Sequence, residues 1–312
     1  MEETIIYQST SLYRDDFKIK GYRFGSGEKS LCVVGNTRGN EYQQMFVCAM
    51  LVQALKGMEE KGLIHEGHQI LVIPSCNPYS VNNSKRFWPI DNTDINRMFP
   101  GYVEGETTQR IAGGIFDVVS EYEFGVQLVS NYLPGEFMPC ITVMKTGFAE
   151  EEQAQLARKF GMPYVIMRNT RPYDTTTLNY NWQIWDTKAF ALYTTCTDKI
   201  DRVSAERGVR SILTFLNSQN IVTYRGHAGY HSLVIDDSEM FSVRTPEAGL
   251  FEPFVKVEQE VLAGTALGRI LDPVSGEERY RLVTPKDGII FHIHAGPMIY
   301  GHTAVFKLIP TS

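Results

Sequence analysis

The stretch Leu31-Cys-Val-Val-Gly35-Asn-Thr-Arg38-Gly-Asn-Glu41 runs straight into Tyr42-Gln-Gln-Met45-Phe-Val-Cys-Ala-Met50-Leu-Val-Gln-Ala-Leu55, and its reading decides the fold. Residues 31–35 are an apolar run of strand length, the pattern of a strand covered on both faces. Residues 36–41 form a short polar turn. Residues 45–55 are apolar almost all round and close near Gly57, which marks a helix packed on a sheet rather than one lying on the surface. Buried strand, tight turn and buried helix together open an α/β sheet. Ligand sites in such sheets gather at the carboxyl ends of strands, so the turn from Gly35 to Glu41 is expected to wall a site.

Outward from this unit the alternation continues. Strands are predicted at 69–74, 126–130, 140–144, 164–167 and 190–195. Helices are predicted at 107–122, with Ile111, Ile115, Val118 and Val119 on one face, at 150–160, and at 203–216, with Val209, Leu213 and Leu216 in register. Composition changes near Asn220 to glycine, proline and β-branched runs without a helical period. There the chain repeats itself: Thr245-Pro-Glu-Ala-Gly249-Leu-Phe matches Thr284-Pro-Lys-Asp-Gly288-Ile-Ile, and Val261-Leu-Ala-Gly264 has a looser echo in Ile299-Tyr-Gly301. Two such units pair into a small barrel-like sandwich. The expectation is an α/β domain over 1–222 and an all-β module over 223–312 that resembles the biotinyl/lipoyl carrier fold. Carriers present a lysine in a Met-Lys-Met-type turn; that turn does not occur in this sequence, so the module is read as structural or pocket-covering.

With 312 residues, 43% hydrophobic and 21% charged, the chain has enough apolar material for both parts. Its net charge of −6 offers no basic excess to neutralise phosphates, which argues against nucleic acid or an anionic membrane as partner. A small anionic ligand, needing only a few local cations, is compatible with it. The five cysteines (Cys32, Cys48, Cys76, Cys140, Cys196) are widely spaced in apolar runs, the usage of buried thiols in a reducing compartment. The first fourteen residues are polar and carry Glu2 and Glu3, unlike a signal peptide, and no apolar run reaches the ~20 residues of a membrane span. A soluble cytoplasmic protein is expected.

Two further tracts carry chemistry: Arg86-Phe-Trp-Pro-Ile-Asp, and Asp94-Ile-Asn96-Arg97-Met-Phe-Pro-Gly101. With Gly35-Asn-Thr-Arg38-Gly-Asn-Glu41 they resemble the aspartoacylase and succinylglutamate desuccinylase branch of the zinc carboxypeptidase clan. There the first motif reads Gly-x-x-His-Gly-(Asn/Asp)-Glu and the second Asp-Leu-Asn-Arg-x-Phe-Pro-Gly. The resemblance extends over nearly the whole chain. It implies a zinc-carboxypeptidase-like mixed sheet flanked by helices and followed by the small all-β barrel-sandwich module. It also implies an amidohydrolase site in which two histidines and a glutamate hold zinc, a glutamate acts as general base, and an asparagine-arginine pair with an upstream arginine grips a substrate carboxylate. Three protein ligands and an open position suit a hydrolytic zinc, whose bound water drops to a pKa near 7.

Carried over residue by residue, the resemblance is uneven. Arg86, Asn96 and Arg97 match the carboxylate-gripping group, and Glu41 matches the acidic zinc ligand. Arg38 stands where the first histidine belongs. Val129 replaces the second, with Gln127 for the aspartate before it, and Thr195 stands at the general-base position. Tyr300, in the C-terminal module, is a further ligand-binding candidate. A guanidinium keeps its proton in proteins and has no lone pair for a metal, so no cofactor is expected and Arg38 is expected to pair with Glu41 or with a bound anion.

The remaining reactive side chains read blandly. His65 and His68 flank a loop. His227 and His231 lie among glycines, and His292, His294 and His302 could approach one another as a metal cluster but read as ordinary surface or core histidines. Cys196 has no histidine near it in sequence to activate it. The leading functional expectation is a pseudoenzyme that retains a cleft for a small carboxylate-bearing ligand, an acyl amino acid or peptide-like compound. The alternative is an active metal-dependent amidohydrolase or carboxypeptidase of N-acyl amino acids or small peptides, using zinc through a non-standard ligand set. A purely structural partner protein is the third reading, and a homo-oligomer is compatible with all three.

Overall fold

The chain opens with an antiparallel pair, Glu2–Ser9 (β1) and Phe17–Gly25 (β2), which stands outside the elements expected from the sequence. This is a computed structural model, and it describes residues 1–10, 15–131, 133–227 and 229–311. Arg14, the end of the polar N-terminal tract, lies outside the described residues. Then follow Gly27–Val34 (β3), Tyr42–Glu60 (α1), Gly67–Ile73 (β4), Pro78–Asn82 (α2), a 3-10 turn at Ile95–Arg97, Thr107–Val119 (α3) and Phe124–Val129 (β5). After these come Gly135–Phe137 (β6), Cys140–Lys145 (β7), Glu150–Arg158 (α4), Tyr164–Asn169 (β8), Leu178–Ile184 (α5), Lys188–Tyr193 (β9) and Arg202–Ser218 (α6). All the strands and helices expected between residues 31 and 216 are present.

Contacts divide the chain into two units, Met1–Ser130 with Pro139–Val234, and Asn131–Met138 with Ile235–Ser312. Composition had suggested a division at 222/223; the contacts place it after Val234 and give the short stretch around β6 to the second unit. In the first unit the large mixed sheet has the order β1-β2-β4-β3-β5-β9-β7-β8, with Leu233–Asp236 (β10) beyond β8. The central strands β4, β3, β5 and β9 run parallel, Val34 lying beside Ile73 and Gln127, and Val129 beside Tyr193. Their carboxyl ends therefore open on one edge, where the turn after β3 sits.

Each face of this sheet is covered, as a sheet with long parallel apolar strands requires. On one side α1 and α6 bury Val47, Leu51, Leu55, Ile212 and Leu216 against Leu31, Val33, Val126 and Leu128. On the other α3 and α5 bury Ile111, Ile115, Leu178 and Trp182 against Cys32, Val34 and Leu71. Trp182 fits because Gly125 of β5 lacks a side chain there, and its indole N–H reaches the Val119 carbonyl at 3.0 Å.

The second unit is two antiparallel sheets around one core rather than a closed barrel. One has the order β11-β18-β16-β13 with β6 added to β16, the other β15-β14-β12-β17. Here β11 is Phe241–Arg244, β12 Gly249–Pro253, β13 Glu260–Val261, β14 Ala266–Leu271, β15 Glu278–Val283, β16 Gly288–His294, β17 Met298–Ile299 and β18 Ala304–Pro310. The sequence repeat is structural. Thr245 and Thr284 make the same buried turn, each hydroxyl donating to the carbonyl two residues on, at 2.8 and 2.6 Å. Each copy's first strand then pairs with the short strand of the other copy, β12 with β17 and β16 with β13, which interlocks them.

Candidate functional site

The turn from Gly35 to Glu41 is folded by its own side chains. Asn36 donates from Nδ2 to the carbonyls of Arg38 (2.9 Å) and Glu41 (3.3 Å) and accepts from the Ser75 hydroxyl at 2.7 Å. Gly39 lies against the 80–86 segment so closely that a Cβ would stand 2.3 Å from that of Ser80, and its N–H bonds the Arg86 carbonyl at 3.1 Å. The strand-to-helix passage is thereby drawn back over itself, and Glu41 becomes the residue preceding α1.

Glu41 is fully buried and does not cap its own helix. Its carboxylate turns back instead. Oε2 accepts from the backbone N–H of Thr37 (2.8 Å), the N–H of Arg38 (2.9 Å) and the Thr37 hydroxyl (3.2 Å). Oε1 accepts from the Ser130 hydroxyl at 2.5 Å and from Nη1 of Arg38 at 3.4 Å. A carboxylate has about four lone-pair sites, and five donors converge on this one. The amino end of a 19-residue helix adds a further stabilising field for the negative charge.

Arg38, only 6% exposed, spans two carboxylates. Besides Glu41 it meets Asp94, to which Nε and Nη2 both donate, at 3.0 and 2.9 Å, converging on Oδ2. The other Asp94 oxygen accepts the Asn96 N–H at 3.1 Å and so starts the 3-10 turn. Burial opposes the charge of Arg38, but Glu41 and Asp94 outweigh it and hold the guanidinium protonated above its ordinary range. Arg97 approaches Asp94 Oδ2 at 3.8 Å, donates from Nη1 to the Tyr173 carbonyl at 2.9 Å and stands over the Tyr173 ring at 5.2 Å.

The expected site residues thus divide. Arg38, Glu41, Asn96 and Arg97 come together with the end of β5. Asn96 is buried, and its side-chain oxygen accepts from Gln127 Nε2 at 2.7 Å. The Val129 carbonyl accepts from Gln44 Nε2 at 3.2 Å, and its apolar side chain offers a metal nothing. Arg86 touches the turn through its backbone while its guanidinium lies 5.7 Å from the Phe87 ring. Thr195 follows β9 and donates its N–H to the Ser204 hydroxyl. Tyr300 belongs to the second unit and is exposed. Of the bland candidates, Cys196 is buried and donates to the Lys199 carbonyl, burial pushing its thiol up to about 11. Among the described residues no group of three His, Cys, Asp or Glu side chains could hold a metal ion. Sequence reading missed Asp94, Ser130 and Tyr173. Asp94 was visible as the first residue of the Asp-Ile-Asn-Arg tract; a pairing over 56 positions left no local signal.

Zinc, which the family pattern implies, does not fit this donor set. Arg38 has no lone pair, and the oxygens of Glu41 are taken up by N–H and O–H groups. A divalent ion about 4 Å from the guanidinium would meet a repulsion of roughly 8 kcal/mol, twice the ~4 kcal/mol of two unit charges at an effective dielectric of 20.

Residues 27–190, more than half the chain, match the model of the succinylglutamate desuccinylase/aspartoacylase catalytic domain. The chain belongs to this family. The match contains every residue of the cluster just described. A relative along the sequence is the N-alpha-acetyl-L-2,4-diaminobutyric acid deacetylase of Halomonas elongata, 23% identical over 287 residues, covering 85% of this chain and 77% of that protein. Solved structures share the fold. The succinylglutamate desuccinylase/aspartoacylase of Rhodobacter sphaeroides gives a TM-score of 0.79 at 19% identity, covering 99% of this chain and 95% of its own. The product-bound ectoine utilization protein EutE (DoeB) of Ruegeria pomeroyi gives 0.77 at 18% identity, covering 96% and 92%. No helix among the described residues is long and apolar enough to cross a membrane.

Proposed function

We propose that this chain is a family member that has given up zinc and hydrolysis and keeps the cleft for binding a small carboxylate-bearing compound. The observation that carries the reading is the Arg38 guanidinium lying across Glu41 and Asp94, at the position where the family pattern places a coordinating imidazole. Val129 and Thr195 support it: the first cannot ligate, and a threonine hydroxyl is far too weak a base to activate water. Arg97, partly exposed and held by Tyr173, is the cation we assign to the ligand's carboxylate, a task suited to the planar guanidinium fork. Asn96 supports it from behind, its side-chain oxygen held by Gln127, whereas Arg86, expected to share the grip, meets the turn through its backbone. The relative from Halomonas is named for an acetylated amino acid, which makes N-acyl amino acids the first compounds to test. A cytoplasmic setting agrees with five buried cysteines, none of them in a disulfide.

Elemental analysis of the purified chain, a deacylase assay with added zinc, and thermal shifts across N-acetyl amino acids decide the matter. The expected result is substoichiometric metal, no hydrolysis, and a melting temperature that rises with at least one acyl amino acid, since a ligand that binds only the folded state stabilises it by mass action. One tightly held zinc per chain with chelator-sensitive deacylation would return the chain to the active amidohydrolases.

A further inference from the structure

Three separate stretches of chain converge at the carboxyl edge of the sheet: the turn after β3, the 88–97 segment, and the end of β5. In the family pattern a metal would tie the first stretch to the third, through ligands at positions 38, 41 and 129. Here side chains tie all three. Arg38, from the first stretch, bonds Asp94 of the second twice, and Glu41, from the first, takes the Ser130 hydroxyl of the third. The charges balance without an ion: Arg38 and Arg97 are positive, Glu41 and Asp94 negative, with the closest contacts between opposite signs.

Asp94 gives the arrangement its direction. Histidines that ligate metals are usually held through their other ring nitrogen by a carboxylate behind them. A buried carboxylate facing position 38 is in place to do this for an imidazole, and it now receives the guanidinium. Building on the non-metal reading above, the geometry points to Arg38 as a built-in counter-ion that takes the metal's place as the positive charge beside Glu41 and ties the turn to the 88–97 segment, so that the folded cleft is indifferent to divalent ions, and to positions 38 and 129 as what closes a zinc site whose remaining parts, Glu41 and its Asp94 support, are still in place.

The test uses the full chain, zinc chloride and EDTA, with melting temperature and zinc per chain after gel filtration as readouts. Wild type should melt at the same temperature in EDTA and in zinc and retain no zinc. Arg38→Met, similar in length but uncharged, should melt lower in both. Arg38→Lys should fall between, because an ammonium keeps the charge but cannot span both carboxylates. The Arg38→His/Val129→His variant should retain about one zinc per chain and melt higher in zinc than in EDTA. If that variant does not fold, the Met and Lys variants still decide. Arg38→Met as stable as wild type, a wild type that loses stability in EDTA, or a folded double-histidine variant that holds no zinc would each overturn the proposal. Failure of acyl amino acids to bind, with Arg38→Met still destabilised, would strike the proposed function and leave this inference standing.

Discussion

Asp94→Asn probes the charge of the cluster while leaving its shape. Asparagine keeps an oxygen for the Asn96 amide, which Asp94 accepts at 3.1 Å. It turns an NH₂ group toward Nε and Nη2 of Arg38, which now lie 3.0 and 2.9 Å from a carboxylate oxygen. Two donors then face a donor, and the guanidinium keeps only its 3.4 Å contact to Glu41. Removing one partner of a buried ion pair costs about 3–5 kcal/mol. Since Glu41 remains, the lower end applies, about 3 kcal/mol. At about 2–4 °C per kcal/mol for a unit of this size, the melting temperature should drop by about 6–12 °C. Urea unfolding followed by far-UV circular dichroism measures it directly, and an unchanged m-value assigns the shift to stability alone. As a control, Glu3→Gln breaks the 2.7 Å surface pair with Lys20 and should leave the midpoint where it was. Because buried pairs are little screened, the deficit of Asp94→Asn should persist in high salt. A variant within about 0.5 kcal/mol of wild type, the range of an ordinary surface change, would refute the reasoning.

Gly39→Ala places a Cβ 2.3 Å from that of Ser80 and 2.4 Å from the Lys85 carbonyl oxygen, so the turn must move; calorimetry should show a loss of about 1–3 kcal/mol. Burial pushes the His292 ring down to about 4, against the opposing contact with the Pro134 carbonyl, while an unfolded histidine titrates near 6.5. The folded ring is neutral, so the unfolded state takes up the proton first, and stability falls as pH drops from about 6.5 to 4, by about 3 kcal/mol in full. Denaturant titrations across that window should show the slope, and His292→Gln should flatten it. Tyr173→Ala leaves the backbone contact to Arg97 but removes the ring over which its guanidinium stands. Calorimetric titration with a binding N-acetyl amino acid should show affinity about 2–5-fold weaker, the worth of an exposed cation–π contact of about 0.5–1 kcal/mol.

What could be read in the sequence follows the range of the forces involved. Core strands and helices announce themselves through apolar periodicity, because one face of each must be covered; residues 31–35 and 45–55 were legible for that reason. Strand β2 carried the same kind of signal, Phe17, Ile19, Tyr22 and Phe24 alternating with Lys18, Lys20 and Arg23, and was overlooked; β1, with Ile5 exposed on its polar face, gave a weaker one. Strand β6 is three residues long and gains its identity only by bonding to β16, more than 150 positions away. In the site, Arg38 and Glu41 were legible because they share a turn. Asp94 and Ser130 were not given roles, as their meetings with Arg38 and Glu41 bridge 56 and 89 positions. Composition changes just after α6 stops at Ser218, whereas the chain stays with the large sheet until β10, a contact that composition does not record.

The two carboxylates of the cluster do not depend on Arg38 equally. Glu41 holds two backbone N–H groups and two hydroxyls and stands at the amino end of α1, so its charge is stabilised before any guanidinium is counted. Asp94 has one backbone N–H and, at 3.8 Å, Arg97; the short charged contacts it makes are both with Arg38. An arginine at position 38 is therefore tolerated for a specific reason. The acid that would ligate zinc is stable without it, and the acid that would support an imidazole accepts a guanidinium in the imidazole's place. Only a side chain long enough to reach Asp94 and carrying a permanent charge meets both conditions. On the proposed reading, an arginine where the family pattern has a histidine stands in for both the ion and its ligand and keeps the polar wall beside Arg97 intact.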